Sequence, residues 1–364
     1  MRATDEAWQN PSSPYRAGAR VGVRLKAARE RLATLLGCKA TRIVFTGGAT
    51  ESAHAIARHL ASTLPENAKV AVSAIEHPCV IEALRTHFGS ERLDWLPVEP
   101  TGIVSMTVIR TGLAARSWAA VWVMAANNET GVMQPWSEIA EACRPAGVPY
   151  VCDASQWAGK VSVGGLVGVD WVMAAAHKFG GPKGVGFLLR PASENGFVVR
   201  SGGSQEQGQR AGTEDFAGIA AMVAALIEAE TTKVLFEEDR IRIRARFENE
   251  VAQKLHGCRV LGAGQERLWN TVSLILPEGA ENQRWVTHLD KRGFEISTGS
   301  ACSTGSDSPS HVLAAMGVSG PESRRVLRIS SGWATTPQEW SDLAAALADV
   351  GATLKPTANV ISIG

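Results

Sequence analysis

The stretch AAAHKFGGPKGVGFLL, Ala174 to Leu189, carries an apolar run up to a single lysine, Lys178, then a burst of glycines, then a second apolar run. Short apolar runs bounded by glycine-rich turns read as strands buried on both faces of a sheet. A lysine delivered by such a run raises a question of its own, because a buried ammonium costs several kcal/mol unless it is paired or loses its charge. Lys178 is either a surface residue at a strand end or an amine whose environment serves chemistry. The surrounding chain has to decide.

Working outward, similar runs recur: RIVFT from Arg42, KVAVSA from Lys69, AAVWVMAAN from Ala119, VPYVCDAS from Val148, VDWVMAAA from Val169 and VGFLLR from Val185. Amphipathic segments, Thr50 to Ala61, Pro78 to Phe88 and Trp136 to Cys143, lie between them. This alternation predicts an α/β domain with a mostly parallel sheet covered on both faces. In such sheets ligands sit at the carboxyl ends of the strands. From Glu214 to Leu255 the pattern changes to one long helical tract without proline. Beyond it TVSLILP from Thr271, NQRWVTHLDKRG, the strand-like FEIS, VLRISSG from Val326 and a last helix from Pro337 to Leu354 predict a smaller α+β domain. The expected domains are residues 10–234 and 235–364.

The chain has 364 residues, with 37 basic against 36 acidic side chains and no run of like charge. The electrostatic footprint of a nucleic-acid binder is therefore missing. Six cysteines (Cys38, Cys79, Cys143, Cys152, Cys258 and Cys302) show no CxxC and no metal-like spacing, which argues against a disulfide framework or a zinc site. No segment approaches the roughly 20 apolar residues that span a bilayer. A cytoplasmic protein without membrane contact is expected.

Three loops after strands carry chemical groups. FTGGATES places two glycines before a helix start at Thr50 and Glu51, a setting in which backbone N–H groups favour an anion. CDASQ ends a strand with Asp153, followed by Gln156; VSAIEHPCV ends one with His77 before Pro78. Together with Lys178 these supply a phosphate cradle, an acid for a ring nitrogen, an imidazole and an amine, the parts that pyridoxal 5′-phosphate requires. Burial behind the apolar strand would favour the neutral amine that condenses with an aldehyde. Cys302 lies in GSACSTGSDS among small polar residues, unlike a structural cysteine in apolar sequence, and is the candidate nucleophile.

The ordered motifs GGATES, EHPCV, NNETG, DASQ, HKFGGPKG, GGSQEQGQRAGT, STGSACSTG and RISSG resemble the cysteine desulfurases of the class V aminotransferase group, over nearly the whole chain from Asn10. The resemblance implies a fold-type I pyridoxal phosphate homodimer with shared active sites. It makes Lys178 the Schiff-base lysine, Asp153 the partner of the pyridine nitrogen, His77 the ring-stacking and proton-transfer residue, and Gln156 the partner of the ring's phenolic oxygen. Thr50, His177 and Thr213, the last reaching the neighbouring subunit, would hold the phosphate, and Ala49 would also bind the cofactor. Asn128 would lie against cofactor and substrate, and Arg328 would clamp the substrate carboxylate. Where the family carries a hydroxyl two positions before the histidine, this chain has Ala175.

The implied reaction converts L-cysteine to L-alanine, leaving sulfur as a persulfide on Cys302 for an acceptor protein such as an iron–sulfur scaffold. Two other readings stay open: a different class V lyase or transaminase, including a selenocysteine lyase, and a catalytically silent scaffold.

Overall fold

The structure is a computed structural model and describes residues 7–194, 196–299 and 310–354. It divides into two compact units. The first comprises residues up to Val98, Val104–Asn127 and Met133–Leu235; the second comprises Glu99–Ile103, Asn128–Val132 and the chain from Phe236 onward. The division falls inside the long helix Phe216–Lys254. Two short stretches of the first half, Glu99–Ile103 and Asn128–Val132, thus group with the second unit.

In the first unit seven strands form one sheet: β1 (Ile43–Thr46), β2 (Val70–Ser73), β3 (Leu93–Leu96), β4 (Ala120–Trp122), β5 (Tyr150–Asp153), β6 (Trp171–Ala175) and β7 (Gly186–Leu189). Their spatial order is β1-β7-β6-β5-β4-β2-β3. Strands β6, β5, β4, β2 and β3 pair in parallel, whereas β7 runs antiparallel to both β6 and β1. Every residue of β1, β2, β5, β6 and β7 is buried, as expected when helices cover both faces. The Ala49–Thr63 and Pro78–Phe88 helices set Ala53, Ile56, Leu60, Val80 and Leu84 against Val44, Val72, Trp122 and Met173 in a common core.

Strand β3 is absent from the sequence reading because its LDWL segment is an edge strand: Asp94 is half-buried and Trp95 exposed, so no continuous apolar run marks it. The Arg16–Leu36 helix escaped for a related reason. Its buried stripe of Val21, Leu25, Leu32 and Leu36 is threaded through arginines.

The second unit holds an antiparallel sheet of order β10-β9-β8, from β8 (Arg259–Val260), β9 (Thr271–Ile275) and β10 (Val326–Ser330). Phe247 and Val251, Trp285 of the Asn282–Asp290 helix, and Leu343, Leu347 and Val350 of the Pro337–Leu354 helix pack on it. FEIS, read as a strand, is not one. Only Ser297 bridges, to Arg328. Among the described residues no helix is long and apolar enough to cross a membrane.

Candidate active site

Strands β1, β2, β4, β5 and β6 run in one direction, so their carboxyl ends open on one edge of the sheet. In the first unit that edge carries Gly47 and Gly48 after β1, His77 after β2, Asp153 and Gln156 after β5, and Lys178 after β6.

The glycine pair leads directly into the Ala49–Thr63 helix. Gly48, not Thr50, is the N-cap; no side chain caps it, and Thr50 is exposed inside the first turn. With φ at 141°, Gly48 adopts a backbone that L side chains rarely enter, and a Cβ there would meet nothing within 4 Å. An open space thus faces the uncapped, partially positive helix start next to Ala49. The neighbouring Gly47 amide is engaged by the Glu51 carboxylate, which pairs in turn with Arg200 and Arg210 at 3.3 Å.

Asp153, 7% exposed, is fixed at the end of β5 by the Ser155 amide, which donates to Oδ1 at 2.8 Å. The Ser155 Oγ is buried with no hydrogen-bond partner among the described residues. His77 is the N-cap of the Pro78–Phe88 helix and accepts from the Cys79 amide on Nδ1 at 3.1 Å. Its neutral form therefore carries the proton on Nε2. Pro78, at the first helical position, gives up no N–H that the helix needs.

Lys178 departs from expectation. Strand β6 is fully buried, but it ends at Ala175; Lys178 lies on the 3₁₀ turn Ala176–Lys178, where both His177 and Lys178 are exposed in the single chain. The apolar approach buries the strand and not the amine. Partial desolvation of its ring, with Lys178, Lys183 and Lys160 nearby, lowers the His177 pKa although the residue is exposed. Thr213 is exposed on the loop after Gly212.

Asn128 and Arg328 belong to the second unit, where Arg328 Nη1 donates to the Asn128 carbonyl at 3.4 Å. Glu129 is buried beside them and accepts from Ser310 at 2.7 Å; burial raises its pKa. Cys302 lies outside the described residues. In each of the other five cysteines burial raises the thiol pKa, to about 12 for Cys79 and Cys143 and well above its usual value for Cys152, with smaller rises for Cys38 and Cys258.

Two residues of the site were passed over in the sequence. Glu76 is 1% exposed, accepts from the Met124 amide at 2.7 Å, and is pushed up to about 8 by burial and by the Asp153 charge. Lys160, 5% exposed, bonds to Gln156 and to the Lys178 turn. Each sits within four residues of a residue that was selected, and each follows a loop from an apolar strand. That position was the available signal.

The class V aminotransferase family model matches residues 4–343. A cysteine desulfurase IscS from Dictyoglomus turgidum is 34% identical over 340 residues, covering 92% of this chain and 85% of that protein. Among solved structures, a NifS-like protein superposes with a TM-score of 0.88 at 26% identity, covering 97% of this chain and 94% of the other. A structure described as SspA in complex with cysteine gives 0.75 at 27% identity, covering 91% and 92%. With the family model matching residues 4–343 and a relative 34% identical over 92% of its length, the chain belongs to the class V aminotransferase family.

Proposed function

We propose that the chain is a pyridoxal 5′-phosphate-dependent cysteine desulfurase that converts L-cysteine to L-alanine and leaves the sulfur as a persulfide on Cys302. The observation that carries this reading is the placement of His77, Asp153, Gln156 and Lys178 on loops leaving one edge of the sheet, beside the uncapped helix start at Gly48. The relatives named as cysteine desulfurases support the reaction class.

The residues fit the cofactor. The open, positive-φ Gly48 and the helix start suit a phosphate, the buried Asp153 suits a protonated ring nitrogen, and Ser155 Oγ is a buried polar atom that a ligand or its water could satisfy. When bound, pyridoxal phosphate supplies an electron sink for the pair left behind when the substrate Cα proton departs.

The chain's own groups do the rest. Lys178 would hold the cofactor through its amine and would serve as the base for the substrate Cα proton. Lys178 is exposed in the single chain, where a bound cofactor and a second subunit would cover it. Asp153 would keep a bound ring nitrogen protonated, its carboxylate oriented by the Ser155 amide. His77 offers the proton on Nε2, since Nδ1 already accepts from Cys79. Thr50 and His177 would hold the phosphate, joined by the partner subunit's Thr213 in a two-fold dimer, with Ala49 also against the cofactor. By the resemblance, Asn128 would contact cofactor and substrate, and Arg328 would bind the substrate carboxylate.

The Cys302 thiolate attacks the substrate sulfur. An S–S bond forms as the Cβ–S bond breaks, and the released electron pair stays on the carbon skeleton until a proton completes alanine. The raised thiols of the five other cysteines support Cys302 as nucleophile, because a thiol held protonated attacks poorly. The persulfide then passes to an acceptor protein, for which an iron–sulfur scaffold in the cytoplasm is the proposed partner.

The test is release of alanine from L-cysteine by purified protein supplied with pyridoxal phosphate, with mass spectrometry of the Cys302 peptide. Equal alanine and transferred sulfur are expected, with one added sulfur on that peptide. Turnover of selenocysteine alone, or none at all, would reject the assignment.

A further inference from the structure

The turn that leaves β5 coils tightly. The Trp157 and Ala158 amides donate to Ala154 O at 3.0 and 2.8 Å, and the Lys160 and Val161 amides to Trp157 O at 3.0 Å. This returns Lys160 beneath Gln156. Its side-chain nitrogen donates to the Gln156 carbonyl at 3.0 Å, to Gln156 Oε1 at 3.1 Å and to the Lys178 carbonyl at 3.2 Å. Gly159 makes the approach to the Lys178 turn feasible: its φ is 71°, and a Cβ there would stand 2.5 Å from the Phe179 Cβ.

Resting on the function proposed above, we infer that Lys160 is a positioning residue that ties the Gln156 side chain to the Lys178 turn and leaves the Gln156 NH₂ group as the part able to serve the cofactor's anionic ring oxygen. While protonated, Lys160 donates and cannot accept, so the Gln156 atom facing it is then the carbonyl oxygen, as the 3.1 Å contact to Oε1 has it. The amide is then left with donors only. Turned the other way, it would bring a carbonyl oxygen toward an oxygen anion. Burial, with the Lys178 charge adjacent, lowers the Lys160 pKa to about 7. An apolar side chain would fill the same place without that cost, so filling space is a poor reason for a lysine here.

Equilibrium titration of apoprotein with pyridoxal phosphate, read by absorbance and without turnover, tests the role. Lys160→Met and Gln156→Leu should each weaken uptake by about tenfold, and the double variant should lose no more than either alone. Lys160→Arg, still an obligate donor, should restore most of the affinity. If Lys160→Met fails to fold, Gln156→Glu serves: it keeps an acceptor for Lys160, has no NH₂, and should lose about tenfold in uptake with an unchanged thermal midpoint. Additive losses in the double variant, or wild-type uptake by Gln156→Glu, would overturn the role of Lys160 alone. Wild-type protein that takes up no pyridoxal phosphate would instead overturn the proposed function on which it rests.

Discussion

Arg29 and Glu206, separated by 177 positions, form a buried two-pronged ion pair, with Arg29 Nη1 at 2.8 Å from Glu206 Oε2 and Nη2 on Oε1. The same carboxylate accepts from the Phe45 amide at 2.8 Å, and the guanidinium stacks 4.4 Å from the Phe45 ring centroid while donating to Ile43 O. Glu206 and Gln207 hold left-handed backbone, φ 49° and 60°, so this loop is pinned in a conformation it would not choose alone. Arg29→Met should cost roughly 3–5 kcal/mol, because it strands a buried carboxylate. Arg29→Lys, lacking the fork, should recover only part of this. Thermal unfolding checks it; a midpoint lowered by less than about 2 °C in Arg29→Met would contradict the account.

Glu76 makes stability depend on pH. Its carboxyl is raised from 4.5 to about 8 in the folded chain, so between those values the folded state holds a proton that the unfolded state has released. Its stabilising effect is complete below about 4.5 and is lost as pH rises through about 8. Lys160 acts oppositely: lowered from 10.5 to about 7, its stabilising effect is present above the unfolded value and lost as pH falls through about 7. Glu76→Gln should therefore be near neutral at about pH 5 and stabilising by on the order of 2–4 kcal/mol at about pH 8. Urea unfolding of both proteins at the two pH values reads this directly. An unchanged pH slope in the variant would show that Glu76 is not the group responsible.

Thiol reactivity should be sharply uneven. Iodoacetamide near neutral pH should modify Cys302 well before Cys79, Cys143 or Cys152, whose burial keeps them protonated. Cys302→Ser should still take up pyridoxal phosphate, form no persulfide and keep its thermal midpoint. Peptide mapping that finds Cys79 labelled first, or carrying the added sulfur, would reassign the nucleophile.

Ala175 closes β6 with 5% exposure, two residues before His177. Ala175→Ser adds a hydroxyl at the phosphate side of the proposed site, and one net hydrogen bond of about 1 kcal/mol should tighten pyridoxal phosphate binding several-fold. Weaker binding in the serine variant would place the phosphate elsewhere.

The sequence made legible whatever recurs as a run. The strands that carry His77, Asp153 and Lys178 all announce themselves as apolar stretches, because both their faces are buried. Strand β3 and FEIS show the limit. The first pairs along one edge only and mixes Asp94 and Trp95 into its pattern; the second has strand-like composition but a single bridge at Ser297. Isolated charges fared worst. Glu76 and Lys160 look in sequence like ordinary solvated side chains, since burial of a charge depends on backbone from distant segments, Met124 for one and the Lys178 turn for the other. The exposure of Lys178 was hidden for the converse reason: an apolar run indicates where a strand lies, not on which residue it stops.

The reversal of β7 gives Lys178, the proposed Schiff-base lysine, an unusual mooring. Elsewhere along the site edge a strand passes into a connection that leads away, but β6 returns at once as β7, with Ala175 opposite Gly186 and the Ala176 amide bonded to Val185 O at 3.0 Å. The lysine loop is thus stapled to the sheet at both ends, like a short strap with two rivets. Such a strap can be shaken but not swung, so during a catalytic cycle the amine would reach its targets by rotation about the bonds of its own side chain. Amide exchange at Ala176 should accordingly be as slow as in the strands themselves, even though the lysine two residues on lies in the open.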